Sequence, residues 1–301
     1  MNQPGGVPGH LVEPLADSAP LAWSWATQHC VADTRGDSCA SYHGLWQYLR
    51  LMQLGPALGG HASEYLRAMT ELALVWENQG GGASRRLLIS GCADYSMLAH
   101  VLHAFSCAPS LPAITVLDIC PTPLKLNVWY AQKLGHPIET VCSDLLDHRP
   151  PDGYDLIITS SFMGYFGPDV RPRLFAAYAS LLRPGGRLVF SNRLRPGSES
   201  VPTAFSKQQA QRFADKVAVS CNALPAQAAL PADAARQMAL AYASSRHPYP
   251  VNSADTIRRL AIDAGLRWIE GHHVASAPLQ PGLSGPTLGD GSDFLIVTLE
   301  K

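Results

Sequence analysis

From residue 86 onward the chain alternates short apolar runs with longer stretches of helical periodicity. Leu87-Leu88-Ile89-Ser90, 113–118, 139–142, Asp155-Leu156-Ile157-Ile158-Thr159 and Arg187-Leu188-Val189-Phe190-Ser191 are too short for helices. Most of them are apolar at nearly every position, as a strand buried on both faces must be, and strands alternating with helices imply βαβ units and a parallel sheet. Pro184-Gly185-Gly186 marks a tight turn between a helix over 171–182 and the next strand. Further on, 253–264 reads as a helix capped by Gly265, followed by a strand over 266–270, a Gly/Pro/Ser-rich loop and a last strand over 294–299.

The first part of the chain has a different texture. Helical spacing covers 21–30, 41–54 and 62–77, and in the second of these Tyr42, Leu45, Leu49 and Met52 share one face. These stretches predict an N-terminal helical cap over 21–82, preceded by a disordered 1–20 and hinged at Gly80-Gly81-Gly82 to an α/β domain over 83–301. An Ala- and Gln-rich helical insertion over 198–249 either covers one side of a pocket or forms a homodimer contact.

Charge narrows the classes of partner. The chain has 23 Lys and Arg against 24 Asp and Glu, with no basic run to neutralise a phosphate backbone, so neither nucleic acid nor an anionic membrane is expected as a partner. No stretch approaches the roughly 20 apolar residues of a membrane span, and the start lacks a signal-peptide pattern, so a cytoplasmic protein acting on a small molecule is expected. The cysteines at 30, 39, 92, 107, 120, 142 and 221 are scattered singly with no CxxC pair. They suggest neither a disulfide framework nor a zinc site. His272-His273 has no third ligand at a suitable spacing, and no metal is expected.

In an open α/β sheet, ligands bind beyond the carboxyl ends of the strands, so the residues just after each strand carry the chemistry. Gly91-Cys92-Ala93-Asp94-Tyr95 is a turn in which Gly91 lets the backbone approach a ligand. At the next strand end stands Asp118-Ile119, and a carboxylate there can accept both hydroxyls of a ribose. After 139–142 comes Ser143-Asp144-Leu145, where Asp144 can accept an adenine amino group and Leu145 can cover the ring. The strand over 155–159 runs into Ser160-Ser161-Phe162-Met163-Gly164-Tyr165, a polar and aromatic loop facing the reactive end of a ligand. No Gly-x-Gly-x-x-Gly follows the first strand, which argues against a nicotinamide cofactor.

The order Asp118, Ser143-Asp144-Leu145, Tyr154-Asp155-Leu156-Ile157-Ile158, Leu181-Leu182-Arg183-Pro184-Gly185-Gly186-Arg187-Leu188 and a final strand resembles the class I S-adenosylmethionine (SAM)-dependent methyltransferases over roughly residues 85–301. The resemblance implies a Rossmann-like α/β fold with a mostly parallel seven-stranded sheet, an antiparallel last strand, and SAM as co-substrate or sole substrate. It places Gly91 under the methionine part, Asp118 at the ribose, and Asp144 and Leu145 at the adenine. Two departures stand out: Ile89 occupies a position usually acidic in the family, and Ala93 and Tyr95 replace glycines of the turn. Asp94 or Tyr95 is then expected to supply the contact of the missing carboxylate.

The segment Ser41-Tyr42-His43-Gly44-Leu45-Trp46-Gln47-Tyr48-Leu49-Arg50 is dense in aromatic and polar groups. A helical segment ahead of this fold commonly lies over the SAM site. Tyr42, Trp46 and Tyr48 can then face a sulfonium with their ring faces, at about 0.5–2 kcal/mol per contact; the alternative is that they pack an amphipathic helix. His43 reads either as a pocket residue or as a structural hydrogen-bonder. The cap together with Ile89-Ser90-Gly91-Cys92-Ala93-Asp94-Tyr95-Ser96-Met97-Leu98 is similar to the methyltransferase-like azetidine-2-carboxylate synthases of secondary metabolism. That resemblance implies closure of SAM on itself with release of methylthioadenosine, and Tyr165, Ser191 and Asn127 are the candidates for steering the amine and carboxylate. Methyl transfer to a small-molecule acceptor, or SAM binding without turnover, are the competing expectations.

Overall fold

The computed structural model describes residues 13–30, 38–54, 62–81, 84–195, 199–275 and 293–301. Seven strands form one sheet: β1 Arg86–Ser90, β2 Ala113–Asp118, β3 Glu139–Cys142, β4 Tyr154–Ser160, β5 Leu182–Arg193, β6 Arg267–Ala275 and β7 Asp293–Glu300. They lie in the order β3-β2-β1-β4-β5-β7-β6, parallel except for β7, which runs antiparallel to both neighbours. The strand order reverses between β1 and β4, which is where such sheets bind ligands. Pairing of β4 with β5 jumps from Tyr154↔Leu182 to Leu156↔Arg187, so Pro184-Gly185-Gly186 is looped out as a turn, with Gly185 at φ +74°.

Helices cover both faces because the central strands are apolar throughout. On one face α3 Ala62–Asn78, α4 Ser96–Phe105 and α5 Pro121–Leu134 bury Tyr65, Met69, Trp76, Val101, Phe105 and Leu126 against Leu87, Ile89 and Val116. On the other, α6 Arg171–Leu181 and α9 Ala254–Asp263 pack Leu174, Phe175 and Ile257 on Leu88, Ile157 and Leu188. A third cluster joins α1 Leu15–His29 and α2 Ala40–Leu51 to α7 Lys207–Ser220 and α8 Ala232–Ser245 through Ala19, Leu45, Leu49, Phe213, Val217 and Tyr242.

Three expectations change. Helix α1 starts at Leu15, so 15–20 are helical despite Pro20, which sits in the second turn; residues 1–12 lie outside the described residues. The division at 82 is not a boundary in packing, because α3 shares a core with β1 and α4. Of the expected hinge, Gly80 and Gly81 have φ of +106° and +92°, and Gly82 lies outside the described residues. The helical insertion packs on α2, closing the third cluster within the chain. Among the described residues no helix is long and apolar enough to cross a membrane.

Candidate active site

Strand registry brings the chemical positions together. Ser90 pairs with Leu117, Asp118 with Cys142, and Ser160 with Ser191, so five parallel strands end at one level. Gly91 N–H donates to Leu117 O (2.9 Å) and Cys92 N–H to Asp118 Oδ2 (2.9 Å), while Asp118 Oδ1 accepts from Cys120 N–H (2.8 Å). Ser143 N–H donates to Asp118 O (3.1 Å), which sets Asp144 beside the same strand end. Gly91, Asp118 and Asp144 thus converge on one edge of the sheet.

Asp118 is buried, and burial pushes its carboxyl up to about 6, the two backbone N–H donors pulling the other way. Each oxygen accepts one backbone hydrogen bond and keeps acceptor capacity for a hydroxyl. Ile119 is 71% exposed and offers an apolar surface next to it. Asp144 Oδ1 is bonded to Leu146 N–H (2.8 Å), whereas the Leu145 side chain is buried in the core. The expected ring cover is therefore not Leu145's side chain, which the local turn directs inward. Ser160, at the end of β4, lies with its Oγ 3.1 Å from Ser191 Oγ.

The turn after β1 is tightly specified. Gly91 has φ +65°, and a Cβ there would stand 2.4 Å from the Phe162 ring, so the loop after β4 lies directly on the glycine turn. Ala93 is half-buried, and Cys92 is buried, its thiol pushed well up by burial. Asp94 is buried in an ion pair with Arg50 of α2 (2.5 Å); its Oδ1 accepts Ser96 N–H (2.8 Å) at the start of α4, where a carboxylate is favoured. Arg50 also pairs with Glu13. The Asp94 carboxylate at the turn is engaged by Arg50.

Tyr95 is a correction: its ring is fully buried, stacked on Tyr130 at 4.4 Å, and its hydroxyl is bonded to Ser18 Oγ at 2.9 Å. It anchors α1 to the core. Asn127 is also buried; its Nδ2 donates to Asp94 O (3.2 Å) and Pro123 O (2.8 Å), so it positions the glycine turn from behind. Buried Gln47 Oε1, Asn127 Oδ1 and Ser96 Oγ lack partners among the described residues, leaving polar capacity around the turn.

The cap divides by helical phase. Tyr42 and Trp46, four positions apart, lie together (5.6 Å), and Tyr42 stacks on Tyr242 of α8 (6.0 Å). Tyr48 falls on the opposite side of α2, buried edge-on against Trp23 at 5.8 Å, and so cannot face a ligand with them. His43 is buried and points its Nδ1 at Cys30 Sγ (3.5 Å), away from the role expected of a pocket residue.

A group that the sequence reading missed completes the aromatic side. Arg246, just past α8, places its guanidinium 4.9 Å from the Tyr42 ring, 5.2 Å from Tyr165 and 5.7 Å from Tyr242, and donates to the Tyr165 hydroxyl. Three rings from the cap, the post-β4 loop and the insertion surround one cation. Burial raises the Tyr42 and Tyr242 hydroxyls above their ordinary value, so both remain neutral rings. Only Tyr42 and Tyr165 carried a signal in the sequence, since Tyr242 and Arg246 lie far from either of them along the chain. Gln47 and Arg50, three positions apart on α2, share a helix face and both reach Asp94 in the turn after β1.

No family model matches the sequence, and no curated protein matches it. Solved structures match by shape. The [4+2]-cyclase SpnF superposes with a TM-score of 0.52 at 13% identity, over 95% of this chain and 93% of that one. A 1,6-didemethyltoxoflavin N1-methyltransferase from Burkholderia thailandensis, solved with bound 1,6-didemethyltoxoflavin and S-adenosylhomocysteine, gives 0.50 at 13% identity, over 100% and 93%. With the strand order and the antiparallel seventh strand, these likenesses establish that the chain has the class I SAM-dependent methyltransferase fold.

Proposed function

We propose that the protein is a SAM-using enzyme and that its reaction closes SAM on itself to azetidine-2-carboxylate and methylthioadenosine. Asp118 would hold the ribose hydroxyls, Ile119 and Asp144 the adenine, and the turn 91–96 with Gln47 the amino-acid end. Bound there, SAM supplies both nucleophile and leaving group: the α-ammonium first gives one proton to solvent, the neutral amine so formed makes a bond to Cγ, and the Cγ–S bond breaks with its electron pair staying on sulfur, leaving the ring nitrogen as a secondary ammonium. What the chain must contribute is a folded methionine geometry and exclusion of water, which together supply several kcal/mol.

This reading is supported by the cage of Tyr42, Tyr165 and Tyr242, whose ring faces enclose the Arg246 guanidinium and would face a sulfonium once that side chain moves aside. The loop 160–167 beside it contains no His, Asp or Glu, as suits a reaction driven by position rather than by a base. Tyr165 is 52% exposed at the rim of this cage with its hydroxyl bonded to Arg246, whereas Ser191, two residues before the end of β5, is buried with its Oγ 3.1 Å from Ser160 Oγ.

Methyl transfer is the second reading, and one feature favours it. Burial brings Arg195 down to about 10, with Arg193 and Arg246 nearby, and its Nε is buried without a partner among the described residues. A positive pole beside the cage suits an acceptor carrying an anionic group. Incubating the enzyme with SAM alone separates the two. Methylthioadenosine formed faster than in an enzyme-free control is expected; its absence, with S-adenosylhomocysteine appearing only once an acceptor is added, would favour methyl transfer instead.

A further inference from the structure

Cysteines that stand alone in the sequence do not stand alone in the fold. Cys30 ends α1, Cys39 and His43 open α2, and Cys120 is the residue ahead of α5. Their ligand atoms all lie within 4.8 Å of one another. Cys30 Sγ is 3.5 Å from Cys120 Sγ and 3.5 Å from His43 Nδ1. Cys120 and His43 are buried, and Cys30 and Cys39 half-buried.

We infer that Cys30, Cys39, Cys120 and His43 form a structural zinc site. Four-coordinate zinc with Zn–S bonds of about 2.3 Å places its ligands at tetrahedron edges of about 3.8 Å. The two 3.5 Å separations match those edges, and the widest pair needs to close by about 1 Å. Three thiolates and one imidazole leave no open position, which marks a structural rather than a catalytic site. The Thr122 hydroxyl, 3.3 Å from Cys30 Sγ, supplies the outer hydrogen bond that such sites use to fix a ligand.

A disulfide accounts for less of this arrangement. It would join two of three sulfurs, at about 2.05 Å rather than 3.5 Å, and would leave the third thiol and the imidazole without purpose. Zinc would tie together three segments that meet at the ligand-binding edge. Cys120 N–H holds Asp118 Oδ1, and α2 carries Tyr42, Trp46, Gln47 and Arg50. The metal would therefore fasten the aromatic cap to the strand end that carries the carboxylate. The inference does not depend on whether SAM is cyclised or donates a methyl group.

The test uses the full chain, freed of any affinity tag and purified under reducing conditions without chelator. Elemental analysis is expected to find one zinc per chain, lost in Cys30→Ser, Cys39→Ser and Cys120→Ser but kept in Cys107→Ser, whose thiol is exposed and outside the cluster. Should the cluster variants fail to fold, the wild-type chain still answers. Replacement of the metal by Co2+ is expected to give a thiolate-to-cobalt charge-transfer band and the visible absorption of a tetrahedral site. Alkylation mapped by mass spectrometry is expected to show residues 30, 39 and 120 protected until a chelator is added. Wild-type chain with far less than one metal and all three thiols reactive, a disulfide among them in peptide mapping, or zinc retained by the Cys30→Ser, Cys39→Ser double variant would each overturn the site.

Discussion

Asp118 is one residue on which several hydrogen bonds converge. Its carboxylate closes the β1 turn through Cys92 N–H and starts α5 through Cys120 N–H, and in the proposed function the same two oxygens receive a ribose. A charge-assisted hydrogen bond contributes about 1.5–3 kcal/mol, so Asp118→Asn, which keeps the shape, is expected to weaken SAM binding at least ~10-fold in calorimetry. Asp118→Ala should weaken it further and also lower stability, because two buried backbone donors lose their acceptor. Affinity unchanged in both variants would place the ribose elsewhere. Gly91 makes a second residue-scale prediction. Gly91→Ala combines a left-handed backbone, costing about 1–2 kcal/mol for an L-residue, with a Cβ 2.4 Å from the Phe162 ring. Thermal denaturation should register that loss, and SAM affinity should fall with it as Phe162 is displaced.

Between elements, buried arginines act as ties. Arg171, at the start of α6 and 1% exposed, donates to Phe166 O, Tyr249 O and Pro250 O and pairs with Glu199. It thereby fixes the post-β4 loop that carries Tyr165 to both ends of the helical insertion. Breaking a buried pair from one side typically costs about 3–5 kcal/mol, so Arg171→Ala is expected near the lower end of that range by urea denaturation, Glu199 being partly solvated. A loss under about 1 kcal/mol would mean that the loop is held by something else. Arg50 does the same work on the other side, joining α2 to the β1 turn through Asp94.

For the molecule as a whole, pH should act through His100. It is buried in α4 with Nδ1 2.7 Å from Ser96 O, and burial lowers its pKa, opposed by that carbonyl and by Glu13 and Asp94, while Arg50 adds to the lowering. The folded state therefore keeps the imidazole neutral to lower pH than the unfolded chain, whose histidine protonates near 6.5. Below that value the unfolded state binds more protons, so this contribution to stability is complete above about pH 6.5 and is lost as the pH falls through the lowered folded-state value. Unfolding free energies measured at pH 5 and 7 should differ less in His100→Gln than in the wild type. An identical difference in the two proteins would exclude His100 as a source of the slope.

The order of strands and helices, the glycine turn and the acidic strand end were legible in the chain because they rest on local rules: apolar runs for buried strands, a positive φ for Gly91, a strand end for Asp118. Helical phase was legible in principle, and it separates Tyr42 and Trp46 from Tyr48, but the choice of which face meets the ligand belongs to packing against α8. Tyr95 has the sequence position of a cofactor contact and the structural position of a core residue, since only the fold brings Tyr130 and Ser18 to it. The same holds for the aromatic cage and the sulfur cluster. Tyr42, Tyr165 and Arg246, like Cys30 and Cys120, are distant in sequence and share no spacing rule. Periodicity and turn chemistry act over a few residues and so are written locally, whereas convergence of side chains depends on where the sheet and its helices bring remote segments into contact.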